Sequence, residues 1–178
     1  GHLADYVGVN NKWLPDGLYK YSQRTPIDSI IANVRLTPQD FTKPVPAKCT
    51  LRLHAFLDLP PFQEEWNYRS AVGKLNYFGQ TSRPDIQYAT YMVAKYSSNP
   101  RLEHGQAIIY IVRYLIKTRD LGLHFKPDAS KGFYCHADMD FLGEWNKEFA
   151  KLDPSTAKSR SGWFTLYANC PVISCSKL

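Results

Sequence analysis

The sequence predicts an α+β protein, and three observations carry that reading. Apolar and polar residues alternate with period two near both ends. Between residues 67 and 118 the apolar residues recur three times at helical spacing. A proline-rich stretch divides the first alternating segment from the helical one. The expected architecture is a β-hairpin with one helix, then a small helical bundle, then a three-stranded antiparallel sheet that is cut short.

In the first segment Leu3, Tyr6, Val7 and Val9 alternate with polar residues, as do Leu18, Tyr19 and Tyr21. Pro15-Asp16-Gly17 lies between them, where proline presets φ and glycine accepts a positive φ, so a hairpin turn is expected. At Thr25-Pro26-Ile27-Asp28 a helix should start, with Thr25 as cap, Pro26 in the first turn and Asp28 near the positive end. Ile27, Ile30, Ile31 and Val34 give that helix one apolar face. Five prolines over residues 36–65 exclude helix interiors and central strands there, so an extended linker or arm is expected.

The helical stretch resolves into three stripes. Tyr68, Ala71, Val72, Leu75 and Phe78 form the first. Ile86, Ala89, Val93 and Tyr96 form the second, with Ser82 as its cap. The third runs from about Leu102 to Lys117 and leaves only Gln106, Tyr110, Arg113 and Lys117 on a narrow polar arc. A helix so apolar around its circumference is expected to be covered on most sides. Beyond Gly122 the period becomes two. Phe133, Cys135, Ala137, Met139 and Phe141 share one face, and Tyr134, His136, Asp138 and Asp140 the other. The runs 163–167 and 171–176 supply two further strands.

With 44% hydrophobic and 14% aromatic residues the chain can build a core, and 21% charged residues exclude a disordered polyelectrolyte. A formal net charge of +6 suits a polyanionic partner. No apolar run approaches the ~18 residues of a membrane helix. Gly1 in place of an initiating methionine suggests a processed, tagged or excised piece. Cys49, Cys135, Cys170 and Cys175 form no C-x-x-C pair. They point to a reducing compartment inside the cell, cytoplasm or nucleus, with Cys135 expected as a buried thiol.

Two constellations carry chemistry. Asp138 and Asp140, with His136, project from one strand face and could begin a divalent-cation site, although two carboxylates do not complete one. The same pattern also describes an ordinary solvent-facing strand. Residues 59–127 hold nine cations against five anions, a net of +4. The cations include Arg69, Lys74, Arg83, Arg113, Lys117 and Arg119, interleaved with tyrosines and Phe78. Such a mixture can bind phosphates and stack on bases, or it can simply pack and solubilise a bundle.

The motifs together resemble one family. Residues 68–77 (Tyr-Arg-Ser-Ala-Val-Gly-Lys-Leu-Asn-Tyr) and Thr81-Ser82-Arg83-Pro84-Asp85-Ile86 are similar to the segment after the polymerase palm in copia-type LTR retrotransposon Pol polyproteins. Thr118-Arg119-Asp120-Leu121-Gly122-Leu123 continues the likeness. Asp138-Met139-Asp140-Phe141-Leu142-Gly143 resembles the opening of that family's RNase H domain. Ser155 to Gly162 and Ser176-Lys177-Leu178 resemble its following loop and strand end. Asp5-Tyr6-Val7-Gly8-Val9 resembles the hairpin near the primer grip.

The resemblance implies the C-terminal part of a reverse transcriptase, its thumb and connection region, joined to the N-terminal part of RNase H. The implied units are a primer-grip-like hairpin and thumb-like helix (1–35), a proline-rich linker (36–66), a connection-like bundle (67–127) and a truncated RNase H-like domain (128–178). It implies RNA or an RNA–DNA hybrid as partner, and magnesium as the parent family's cofactor. Asp138 matches one metal ligand and Asp140 lies beside it, while the remaining carboxylates are not matched. The isolated chain is therefore expected to bind without cutting and to carry no cofactor of its own. Met139, Leu142 and the pair Ser174-Cys175, where the family has Trp-Ala, depart from the pattern. The missing tryptophan brings the packing of the last strand into question. A truncated sheet also leaves an apolar face for a protein partner, the alternative function being an exapted interaction module. A further alternative is part of a longer active polymerase with RNase H.

Overall fold

A computed structural model describes residues 5–48, 53–55, 58–141, 145, 147–148, 150–151 and 153–177. The positions read at Leu3, Cys49, Leu142, Gly143 and Leu178 lie outside the described residues. The fold is α+β, with one four-stranded and one three-stranded antiparallel sheet around a helical unit.

Strands β1 (Asp5–Tyr6), β2 (Val9–Trp13) and β3 (Tyr19–Ser22) pair in sequence order. Val7 and Gly8 turn between β1 and β2 at φ of 52° and 73°, the sign that a tight twisted hairpin requires. The Pro15-Asp16-Gly17 turn forms as read: the Gly17 N–H donates to the Leu14 carbonyl at 3.1 Å, and Gly17 has φ of 77°. Helix α1 (Arg24–Asn33) buries Ile27, Ile30 and Ile31. It starts two residues earlier than Thr25 as cap would set it, and no side chain caps it. Gln23, which precedes it, is buried, and its Oε1 accepts from the Ser82 hydroxyl at 2.8 Å. Ser82 is therefore a tie between segments rather than a cap.

Helix α2 (Tyr68–Thr81) is capped by Asn67, whose side chain accepts from the Ser70 N–H at 2.8 Å. A single 3-10 turn (Pro84–Ile86) leads into α3 (Gln87–Ala94), and α4 (Leu102–Lys117) follows. Ile108, Ile111, Val112 and Leu115 lie at the centre of one cluster that also takes in Ile27, Ile30, Ile31 and Val34 of the N-terminal segment. Strand β4 (Gly122–Phe125) then pairs with β3, so the ends of residues 5–125 share both a core and a sheet. The proline-rich stretch lies along the helices. Phe62 N–H donates to the Pro100 carbonyl, Leu102 N–H to Pro60, and the Phe62 ring meets Trp66 at 4.7 Å. Its donors find partners on the bundle that proline-broken backbone cannot supply itself.

His104 is fully buried and its ring stacks on Tyr96 at 4.2 Å. Its Nδ1 accepts from the Arg101 N–H at 2.9 Å, and Nε2 lies 2.8 Å from the His54 carbonyl, which requires the Nε2–H tautomer. Burial pushes the imidazole below the ordinary histidine range, partly opposed by the bond to His54. The unfolded chain therefore takes up a proton near pH 6.5 that the folded state resists. Stability is fully present above that value and falls as the pH drops below it. The urea midpoint is expected to decline from pH 7.5 to 5.5, with a shallower decline in His104→Gln. Equal slopes in the two proteins would refute the assignment.

The second sheet holds β5 (Phe133–Asp140), β6 (Arg160–Tyr167) and β7 (Cys170–Lys177) in that order. Pro171 sits next to the register shift at Thr165/Leu166, where a missing N–H is tolerated. The sheet joins the helices on one face. Arg160 lies over Tyr91 and Tyr88 at 4.4 and 4.8 Å, and Gln87 Nε2 donates to Ser174 Oγ at 2.8 Å. Ser174, one of the departures from the resemblance noted in the sequence, thus anchors β7 by a polar contact. β5 lies at the edge and is exposed along its whole length, Cys135 included. The buried thiol expected at 135 is not found, because nothing among the described residues covers that face.

Candidate nucleic-acid interface on helix α4

The six basic residues read from the sequence do not form one surface. Arg83 is 1% exposed, and its guanidinium is spent on Asp85 and Thr118. Arg119 pairs with Asp28 at 2.6 Å, tying the end of the bundle to α1. Arg69 Nε donates to the Ser97 carbonyl at 2.9 Å, and Lys74 Nζ to Ser29 Oγ at 3.1 Å. These four make intramolecular contacts, and none of them lines the cavity beside Arg113.

Arg113 and Lys117 behave differently. They occupy the polar arc of α4, where helical spacing also places Gln106 and Tyr110. The proline-rich segment crosses this arc, with Lys43 N–H donating to the Arg113 carbonyl at 3.3 Å. Between the two lies a cavity of about 470 Å³ lined by Lys43, Lys48, Tyr110 and Arg113, with Glu103 the acidic residue of its wall. Lys43 Nζ sits 4.7 Å from the Phe41 ring centre and 5.0 Å from that of Tyr110. Arg113 Nε is buried without a hydrogen-bond partner among the described residues. Nearby Asp40 accepts from the Thr37 N–H and hydroxyl at 2.6 and 2.8 Å. Those bonds hold its carboxyl below the usual range, with a smaller contribution from Arg113.

Lys43 and Lys48 were not legible as site residues because they lie in a segment with no periodicity. Their signal is a pair of cations beside Pro44 and Pro46, in chain too stiff to collapse onto itself. Of the interleaved aromatics, Tyr68, Phe78, Tyr96 and Tyr114 are buried in the core, whereas Tyr110 faces the cavity.

Asp138 and His136 border a second opening of about 350 Å³ between the β-sheet and residues 84–88. The acidic neighbour there, Asp85, has both oxygens engaged by Arg83 at 3.0 and 2.7 Å, and its Oδ2 also accepts from the Tyr114 hydroxyl at 2.7 Å. Among the described residues no three His, Cys, Asp or Glu side chains gather to hold an ion. This donor set does not fit a magnesium pair, which needs several free carboxylates converging on two ions.

No family model and no solved structure matches the chain. Over 142 residues, 80% of the chain, it is 30% identical to the retrovirus-related Pol polyprotein from transposon RE2 of Arabidopsis thaliana. Over 113 residues, 62% of the chain, it is 46% identical to the corresponding polyprotein from transposon TNT 1-94 of Nicotiana tabacum, of which it covers 8%. An uncharacterized mitochondrial protein of Arabidopsis thaliana matches 99% of the chain at 27% identity, over 67% of its own length. The chain spans about a tenth of the length of the RE2 and RE1 polyproteins. Matched along most of its own length to such polyproteins, the chain is retrotransposon Pol-like, a relative of the Pol polyproteins of retrovirus-related transposons.

Proposed function

We propose that the chain corresponds to the end of reverse transcriptase and the start of RNase H in a copia-type Pol polyprotein, and that it holds the backbone of RNA or an RNA–DNA hybrid along α4 without cleaving it. The observation that carries this reading is the cavity in which Lys43, Lys48 and Arg113 converge beside Tyr110, with Lys117 exposed one turn beyond Arg113. Clustered cations gain affinity by releasing phosphate counterions, and a tyrosine face adds a stacking surface. Asp138 in this reading is a remnant of the family's magnesium-binding set, and the activity takes place inside the cell.

Affinity for a hybrid duplex is expected to fall as salt rises, each phosphate contact contributing about 0.9 to the slope of log K against log salt. The Lys43→Gln/Arg113→Gln variant removes two contacts, so its slope is expected to be shallower by about 2. Fluorescence anisotropy over a salt series reads both quantities. Binding indifferent to salt, or an unchanged slope in the variant, would overturn the interface. Magnesium-dependent cleavage of hybrid by the wild-type chain, abolished by Asp138→Asn, would overturn the non-cleaving part alone.

A second reading, an interaction module, is favoured by one observation. The outer face of the second sheet exposes Phe133, Met139, Tyr167 and Ile173, with Met139 76% exposed. Apolar surface of this extent on a sheet is characteristic of protein contact.

A further inference from the structure

The cavity against α4 is not uniformly basic, and its polarity sharpens the nucleic-acid reading, on which this inference rests. Glu103, Gln106, Tyr110 and Arg113 line it from four successive turns of one helix face. Ten residues separate Glu103 from Arg113, which sets the acidic end about 15 Å from the cationic one along the helix axis. The proline-rich segment runs antiparallel to that face. Lys43 N–H donates to the Arg113 carbonyl at 3.3 Å, and the His54 carbonyl lies 2.8 Å from His104 Nε2. Lys43 therefore stands at the cationic end. Residues 49–52 lie outside the described residues, so the slot is defined by α4, residues 41–48 and Leu53.

Among the described residues Lys43, Lys48, Arg113 and Glu103 form no ion pair. The Lys43 ammonium is held by the rings of Phe41 and Tyr110, and Arg113 Nε is buried without a partner. Opposite charges that face one cavity without meeting suit a ligand that is itself divided, anionic at one end and a donor at the other. A continuous phosphate track fails that condition, because Glu103 would repel it. A nucleotide turned out of its strand meets it. Its phosphate reaches Lys43 and Arg113, while the base lies against Tyr110 and the apolar wall of Ala107 and Ile109. Phosphate is a stronger partner than a ring face, so it draws the ammonium off Tyr110 and clears that face for the base. Unpaired bases are bound in this manner, stacked on aromatic rings and read along their Watson–Crick edge. At about 470 Å³ the cavity has the size of a small-ligand pocket.

The acidic end also chooses among bases. Guanine presents two adjacent donors, N1–H and N2–H, that one carboxylate accepts together. Adenine and cytosine present one donor beside a ring-nitrogen acceptor, and uracil one donor between two carbonyls. Each of those sets a lone pair against the acid, at the cost of an unmade bond. Gln106, one turn from Glu103, supplies an amide donor for guanine O6.

We propose that this cavity takes one unpaired guanine nucleotide, with Glu103 accepting from N1–H and N2–H, Gln106 donating to O6, and Lys43 and Arg113 holding the phosphate. The test uses the whole chain and RNA–DNA hybrid duplexes that are blunt or carry a single unpaired G, A, C or U, read by fluorescence anisotropy at one salt concentration. The guanine overhang is expected to bind about tenfold more tightly than the other three. GMP is expected to displace it and AMP is not. GMP binding as tightly as the overhang identifies a free nucleotide as the ligand, and a tighter overhang identifies the strand; both uphold the pocket. Glu103→Gln is expected to bring the four overhangs within about twofold of one another, with circular dichroism confirming an intact fold. Equal affinity for the four overhangs in the wild type, or a guanine preference that persists in Glu103→Gln, would overturn the proposal. The wild-type comparison needs no variant, so it decides the matter even if the substitution disturbs folding. The blunt duplex has no unpaired base and reports on the backbone interface alone. Salt-dependent binding of blunt duplex without any guanine preference would sink the pocket and leave that interface standing, whereas no binding to any probe would overturn both.

Discussion

Arg83→Ala is expected to lower the free energy of unfolding by about 3 kcal/mol, toward the lower end of the range for breaking a buried ion pair. The guanidinium makes four hydrogen bonds: Nε and Nη2 to the two oxygens of Asp85, Nη2 to Thr118 Oγ1 at 2.7 Å, and Nη1 to the Thr118 carbonyl at 3.0 Å. It therefore clamps the exit of α4 to the turn that starts α3, and Tyr114 closes the network through its bond to Asp85. Removing it leaves the Asp85 carboxylate with only its bond from Tyr114 and takes the donor from the Thr118 carbonyl and hydroxyl just past α4, and unmade bonds at buried groups cost more than made bonds gain. The Asp85 side chain retains 35% exposure, so water recovers part of the loss. A urea midpoint shift at constant m measures the effect. The double variant Arg83→Met/Asp85→Leu, which removes both charges, is expected to lie closer to wild type than Arg83→Ala. A loss below about 1 kcal/mol in Arg83→Ala would show that the network is not a stabilising clamp.

Gly122→Ala is expected to cost about 3 kcal/mol and to release β4 from β3. Gly122 pairs with Ser22, and a Cβ there would run into the Tyr21 carbonyl oxygen while lying 3.0 Å from the Ser22 Cα. Both neighbours are backbone, so no side-chain rotation relieves the overlap. The strand must move, and with it the pairing that joins the hairpin to the end of the bundle. Amide exchange distinguishes this from a uniform loss of stability. Protection of the β3–β4 amides should collapse while that of α4 persists. Unchanged protection at Leu123 would contradict the steric account.

Local pattern made much of the fold legible. The hairpin turn at 15–17 and the polar arc of α4 needed only residue order, because turn dihedrals and helical period are local properties. Caps were less legible. Thr25 and Ser82 have the chemistry of caps, but α1 starts at Arg24 without a side-chain cap and Ser82 bonds to distant Gln23. A hydroxyl offers the same chemistry to a helix end and to a remote partner, and packing chooses between them.

The candidate interface divided along the same line. The sequence determined the supply of cations and their presence on α4, since charge and period are written in order along the chain. Tertiary structure decided which of them remain available. It buried Arg83 against Asp85, paired Arg119 with Asp28, and laid Lys43 and Lys48 across Arg113 from a segment some seventy residues earlier. It also left β5 uncovered on both faces, where alternation alone predicted one buried side. Alternation states which residues share a face. Only the packing of the remaining chain determines whether that face meets a core or water.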